Sequence, residues 1–222
     1  GPAVIETFGE KPFSPVNKEE CWTFSEAQQK LQVELDNESG QIVNRYIKGE
    51  ERSFTIIAYP IPEIGENFQD IFREIVKINT LDYKKYQKIQ QTIIDTLDTC
   101  EWVEIKGKGD NETDLLIHLH TLTDPQKQTN FENCVADVNI PLGEVFTSPV
   151  LAGTGGILHV SKIYLNGLQF CDLKLVFDCG QVIDYTCSNF DTEEENRKYI
   201  EDNILFHHPR LAMGEFAIGT NT

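Results

Sequence analysis

The sequence has 222 residues, of which 40% are hydrophobic and 10% aromatic, enough to bury a core in one large domain or two small ones. Its 36 acidic and 19 basic residues give a formal net charge of -17, which argues against nucleic acid or an anionic membrane as a partner. No apolar run approaches the roughly 18 residues of a membrane helix, and the opening residues lack a signal pattern. We therefore predict a soluble, cytoplasmic protein.

The first part of the chain is predicted to be helical. Thr23 and Glu26 form a capping-box pattern, which predicts a helix over Thr23 to Leu35. The apolar run SFTIIAYPIP then predicts a short buried strand that ends at its prolines. Two amphipathic helices follow, with apolar stripes at helical spacing. Their stripe residues are Phe68, Ile71, Phe72 and Ile75 in the first helix, and Tyr86, Ile89, Ile93 and Leu97 in the second.

Beyond Asp98 the hydrophobic pattern changes to a period of two, which predicts strands. Gly180 in FDCGQV predicts a hairpin turn and antiparallel neighbours. A helix from Thr192 to Leu205 is predicted next, with Asp191 as its cap. The strand segments are EWVEIKG, TDLLIHLH, NCVADVNI, GILHVSKIYL, LQFCDLKLVF and QVIDYTC.

These elements predict a mixed α+β fold in which a helix-rich part precedes a β-rich part with a mixed, largely antiparallel sheet. The change of pattern places the boundary near Asp98, which gives domains of residues 1–98 and 99–222.

The histidines and cysteines give weak indications of a site. His118 and His120 alternate in LLIHLHTL, so they share one strand face and could hold a metal; the other interpretation is a strand with one apolar and one solvated face. His159 is expected to pack or to face water. His207 and His208 are expected at a helix end.

No cysteine has neighbours that indicate an activated thiolate, which disfavours Cys–His catalysis. The six cysteines lack CxxC or zinc-ribbon spacing, so we expect them to be reduced. Calcium binding is disfavoured because no DxDxDG loop occurs.

Two glutamates are better candidates. Glu144 in PLGEVFTSP and Glu215 in AMGEFAIGTN share the form Gly-Glu-apolar followed by a strand-like run, which predicts two equivalent positions at strand edges. Buried carboxylates need a partner, and a divalent metal can hold two of them ionised. Two surface turns would give the same strings. The pattern is therefore consistent both with a metal site and with two surface turns.

The strings ADVNIPLGEVFTSPVL and MGEFAIGTNT, with ETDLLIHL upstream, resemble the aminopeptidase T / aminopeptidase S family of dinuclear metallo-aminopeptidases. The segments FTIIAYPIPEIG, INTLDY, QTNFENCVADVNIP and LQFCDLKLVF resemble its clostridial-type branch, known as leucyl aminopeptidase. The resemblance covers the whole chain. It implies a cytoplasmic exopeptidase that releases N-terminal residues from peptides, and members are commonly dimeric, although no residue pattern here indicates a homodimer.

The resemblance also implies a site. Two divalent ions (zinc, cobalt or manganese) share the active centre of the family, whose glutamate ligands correspond to Glu144 and Glu215. Many members have Glu-Glu where this chain has Gly143-Glu144. Asp114 in ETDL is an expected site-lining residue, the alternative being a strand-capping turn. The family's catalytic histidine and tyrosine follow the GTNT element, beyond Thr222, so we expect an internal fragment of the catalytic domain with little or no activity.

A second hypothesis comes from a different functional class. The acidic surface and the helical stripes would also suit a non-catalytic module that binds a protein partner.

Overall fold

The computed structural model describes residues 24–48, 56–57, 59–135, 139–140, 143–165, 168–206 and 208–220. These residues form helices and strands that confirm the α+β class. The helices are α1 (Glu26–Tyr46), α2 (Phe68–Asn79), α3 (Tyr83–Leu97) and α4 (Glu193–Ile200). The strands are β1 (Ile56–Ile57), β2 (Trp102–Lys106), β3 (Asp114–His118), β4 (Glu132–Cys134), β5 (Asn139–Ile140), β6 (Glu144–Thr147), β7 (Val150–Leu165), β8 (Leu168–Asp178), β9 (Gln181–Thr186) and β10 (Phe216–Gly219).

The strands are arranged in three sheets. A five-stranded sheet has the order β2-β3-β7-β8-β9, and a three-stranded sheet has the order β10-β6-β4; both are antiparallel throughout. Strands β1 and β5 form a separate parallel pair. The predicted strand NCVADVNI is therefore wrong as a single element. Its two halves pair with different partners, β4 with β6 and β5 with β1.

Helix α1 begins later and runs further than predicted. Ser25 is its N-cap, and Ser25 with Gln28 forms the capping box that was predicted for Thr23 and Glu26. Thr23 lies outside the described residues. Two such motifs begin only two residues apart, at Thr23 and at Ser25, so the local pattern could not distinguish the two possible helix starts. None of the α1 residues is buried.

Helices α2 and α3 confirm the predicted amphipathic segments, but the buried face of α3 differs from the prediction. Ile89 is 44% exposed, whereas Gln90 and Ile94 are buried. Ile94 belongs to the same core as residues of the five-stranded sheet, so α3 packs with the β-rich part. The domain boundary near Asp98 stays a prediction. No described helix is long and apolar enough to cross a bilayer.

The predicted hairpin between β8 and β9 is confirmed. Cys179 and Gly180 form its turn with φ values of 46° and 68°, and the strands pair in antiparallel register. The two-residue turn with positive φ at both positions matches the right-handed twist of the flanking strands.

Helix α4 corrects the predicted cap. Thr192 is the N-cap and accepts a hydrogen bond from the Glu195 backbone N–H, so Asp191 does not serve this role. The predicted length is confirmed in outline, because a π-helical turn, Glu201–Leu205, continues α4 to Leu205.

Arg197 joins α4 to β9. Its guanidinium donates hydrogen bonds to Asp184 Oδ1 (2.8 Å) and to the Tyr185 carbonyl (3.0 Å), and lies 4.4 Å from the Tyr185 ring centroid. The hydrogen bond from Arg197, with one from the Tyr185 backbone, holds the pKa of Asp184 below its ordinary value. Arg197→Ala is expected to lower the free energy of unfolding by roughly 1–2 kcal/mol near neutral pH, measured by urea denaturation.

The Asp184 contribution to this loss depends on pH. A carboxyl with a depressed folded pKa contributes stability above its unfolded pKa and loses it as the pH falls through the folded pKa. Asp184→Asn is therefore expected to destabilise by less than about 1 kcal/mol at neutral pH, because the pair is largely exposed, and by nothing in acid. An equal loss at acidic and neutral pH would contradict this assignment.

Candidate metal centre

The two candidate ligands lie on neighbouring strands. Glu144 is the first residue of β6, and Glu215 immediately precedes β10. The antiparallel register pairs Glu144 with Gly219 and Phe216 with Thr147. Along β10, Glu215 is thus four residues from the partner of Glu144, a spacing of roughly 14 Å at 3.4 Å per residue. The predicted strand-edge positions exist, but they lie at opposite ends of one strand pair.

Both glutamates lie on the same face of this strand pair. Directly paired residues point to the same side, and positions two apart repeat that side. Val145 and Phe216 alternate with the glutamates and are buried in the core. Glu144 is half-buried and Glu215 is exposed. Ala217, the only residue between Glu215 and Gly219 on this face of β10, is exposed and small. The two carboxylates therefore share an accessible surface outside the core.

The backbone at Glu144 is held from three directions. The Gly143 N–H donates to the Cys134 carbonyl (3.4 Å), and the Thr220 N–H donates to the Gly143 carbonyl (2.6 Å). Gln90 of α3 donates to the Glu144 carbonyl (3.1 Å). Gly143 has a φ of 129°, a conformation that favours glycine at this position. The position of Glu144 is thus fixed by its own backbone contacts.

Asp114 lies in the other sheet, at the start of β3. Its carboxylate is 3.2 Å from Lys106 Nζ on β2, and both side chains are exposed. Hydrogen bonds to Glu104 and then to Asp114 raise the pKa of Lys106. The described contacts of Asp114 are those of a strand-end ion pair, and its role as a site-lining residue stays a prediction.

Among the described residues, the histidines and these acids form no group of three or more side chains that could hold a metal ion. Strand β3 ends at His118, which lies against Gly153 and the Trp102 ring, and the exposed His120 follows beyond the strand. Leu115, Ile117 and Leu119 alternate with these histidines and are buried, so the interpretation of one apolar and one open face is confirmed.

His159 is packed, as one of its two predicted placements required. It is 8% exposed, its Nδ1 accepts a hydrogen bond from the Glu112 backbone N–H (2.9 Å), and Asn111 and Thr113 donate to its carbonyl. His208 is exposed, and His207 lies outside the described residues.

No disulfide bond joins the cysteines in the described part of the chain, as expected; Cys21 lies outside it. No disulfide bond therefore constrains the described part of the chain.

The fit of divalent ions can be tested on the donors themselves. Carboxylate oxygens are suitable ligands for zinc and manganese. Across the described ranges, however, no group of three or more His, Cys, Asp or Glu side chains is arranged to hold a metal ion. Glu144 and Glu215 therefore fit as part of a ligand set that needs donors from elsewhere.

A cavity of about 410 Å³ adjoins the end of β6 near Glu215. Hydroxyl and amide side chains line much of it, among them Thr129, Asn130 and Ser148. Ser148 directly follows Thr147, which pairs with the residue after Glu215. A cavity lined by His120 and by hydroxyl and amide side chains thus borders the end of β6 that pairs with Phe216, the residue after Glu215.

Gln90 is the residue at this site that sequence analysis missed. It lies four residues before Ile94 and seven before Leu97, so it occupies the buried face of α3. An amide in line with an apolar stripe was a signal that could have identified it.

Comparison with known proteins relates this chain to one family and to a solved structure of similar fold. A family model described as thermophilic metalloprotease (M29) matches residues 11–222. Among solved structures, wild-type AmpT from Thermus thermophilus has a similar fold, with a TM-score of 0.50 and 17% sequence identity, over 73% of this chain and 43% of that chain. The present chain thus spans less than half the length of that structure. No curated protein matches it.

Proposed function

The chain belongs to the M29 family of thermophilic metalloproteases, and from this we propose that it functions in a metal-dependent aminopeptidase that releases N-terminal residues from peptides. The strings around Glu144 and Glu215 support the exopeptidase activity, and the segments FTIIAYPIPEIG, INTLDY, QTNFENCVADVNIP and LQFCDLKLVF support the clostridial-type leucyl aminopeptidase branch. The low pI of 4.6 argues against nucleic acid and anionic membranes as partners, and the proposed substrates are peptides. A cytoplasmic location, and a homodimer as in the family, are part of the same proposal.

The observation that carries this proposal is the register of Glu144 and Glu215. Ions in two-metal sites are about 3.5–4 Å apart, and carboxylate oxygens lie about 2.0–2.2 Å from each ion. Oxygens on the outer sides of such a pair are therefore about 8 Å apart. Because the spacing of the two glutamates along the strands is roughly 14 Å, their side chains would together have to span only about 6 Å.

A single ion fits this spacing less well, because two oxygens bound to one ion are separated by at most about 4.4 Å. The register thus favours a pair of ions, with Glu144 and Glu215 as ligands from opposite ends. The remaining ligands would come from residues that the structure does not describe. Zinc, cobalt and manganese are the proposed ions.

In this reaction, the described residues would bind the metal ions and orient the peptide substrate. When bound, divalent ions lower the pKa of water and polarise a peptide carbonyl. Glu144 and Glu215 would hold the ions and offset their positive charge. The hydrogen-bonded backbone at Gly143 and Glu144 fixes the point from which the Glu144 side chain leaves the strand. The cavity beside Ser148 offers hydroxyl and amide groups to the peptide backbone of a substrate.

The proposal is tested with the full-length protein and leucine p-nitroanilide. We expect bound divalent metal, hydrolysis that a chelator abolishes, and recovery when zinc, cobalt or manganese is returned. Hydrolysis that persists after the metal has been removed, or none at all in the metal-loaded protein, would refute the proposal.

A further inference from the structure

Gln90 is a polar side chain enclosed completely by the protein. It lies on α3 with 0% of its surface exposed, one helical turn before the buried Ile94. Burying an amide without hydrogen-bond partners destabilises a protein, and an apolar residue would continue the stripe without this penalty. The presence of an amide at this buried position is therefore explained by its hydrogen-bond partners.

The Gln90 amide makes hydrogen bonds to three segments of the three-stranded sheet. Its Nε2 carries two hydrogens and lies within hydrogen-bond distance of three acceptors, so one hydrogen is shared. The acceptors are Asn133 Oδ1 (2.7 Å) and the Cys134 carbonyl (3.0 Å) on β4, and the Glu144 carbonyl (3.1 Å) on β6. Its Oε1 accepts a hydrogen bond from Thr220 Oγ1 (3.1 Å), just after β10. Both polar atoms of the amide are thus satisfied, and one side chain connects all three strands.

These contacts meet at Gly143 and Glu144, the residue pair that includes the candidate metal ligand. The Thr220 backbone N–H donates to the Gly143 carbonyl, and the Gly143 N–H donates to the Cys134 carbonyl. Gln90 therefore binds Glu144 directly, and it binds two residues, Cys134 and Thr220, that hold Gly143. Glu144 is the first residue of β6, so the strand continues only on its C-terminal side.

We infer that Gln90 is a positioning residue for the metal ligand Glu144, an inference that rests on the proposed function. The amide fixes the carbonyl of Glu144 and thereby the direction in which its side chain leaves the strand. Groups that orient metal ligands typically change metal affinity by 10–100-fold when they are removed. A side chain that only joined helix to sheet would change the stability of the fold and leave the coordination of a bound ion unchanged.

The test is Co²⁺ binding by the protein, with the visible absorption of the ion as a report on its coordination. Gln90→Met removes the amide at similar length, and Gln87→Met is the matched control because Gln87 is exposed one turn earlier on α3. Circular dichroism checks that each variant is folded. We expect Gln90→Met to weaken Co²⁺ binding about tenfold or more and to change the spectrum, and Gln87→Met to change neither.

Thr220→Val provides a second variant that leaves the Gln90 donors in place and removes one partner. It is expected to weaken Co²⁺ binding in the same direction by a smaller factor, and it carries the test if Gln90→Met does not fold. Affinity and spectrum like those of the wild type in the folded variants would overturn the inference and leave the proposed function intact. Absence of Co²⁺ binding, or binding that Glu144→Gln does not change, would instead overturn the proposed function.

Discussion

Replacement of Glu144 or Glu215 by glutamine is expected to reduce peptide hydrolysis by the full-length protein about 100-fold or more, with loss of bound metal. A carboxamide has the same shape but no charge, so it binds a divalent ion weakly and no longer offsets its charge. Because both side chains lie outside the core, each change should alter the free energy of unfolding by less than about 1 kcal/mol. Metal content and hydrolysis rates measured on the same preparations connect the two effects.

Glu104→Gln is the matched control for these variants. Glu104 is an exposed carboxylate on β2 of the five-stranded sheet, where it pairs with Lys106. This variant should keep wild-type metal content and activity. Unchanged metal content and activity in Glu144→Gln and Glu215→Gln would favour the competing hypothesis of a non-catalytic interaction module.

Gly156→Ala is expected to destabilise the fold by about 3 kcal/mol or more. Gly156 on β7 has a φ of 121°, which disfavours any side chain, and an added Cβ would lie 2.1 Å from the Asp114 carbonyl oxygen and 3.0 Å from the Leu115 Cα. Both contacts are backbone atoms of β3, which cannot rotate away as a side chain would. The substitution must therefore separate β3 from β7, and urea denaturation measures the loss.

Gly40→Ala is the control for that substitution. Gly40 lies in α1, where an added Cβ would meet nothing within 4 Å. Alanine there should stabilise the helix by up to about 1 kcal/mol. Gly156→Ala with wild-type stability would contradict the β3–β7 register.

Local patterns were sufficient for much of the fold. The alternation in TDLLIHLH and LQFCDLKLVF predicted β3 and β8, because one face of each strand packs against the core. The start of α1 was wrong because two capping boxes compete within a few residues. The prediction of NCVADVNI as one strand was wrong, because the end of a strand depends on its pairing partners and these are distant in sequence.

The candidate site shows the same division. Two similar Gly-Glu strings predicted equivalent positions at strand edges, and the structure places both glutamates on one face of the β6–β10 pair. Their separation depends on strand register, which no local pattern contains. Gln90 was missed for a related reason: its partners Glu144 and Thr220 are 54 and 130 residues away along the chain.

The most direct test of the central claim is a crystal structure of the protein grown with zinc or manganese, with anomalous scattering to locate the ions. The account predicts two ions on the outer face of β6 and β10, with a Glu144 oxygen and a Glu215 oxygen each about 2.0–2.2 Å from an ion. Ions bound only at other carboxylates, with Glu144 and Glu215 both uncoordinated, would contradict it.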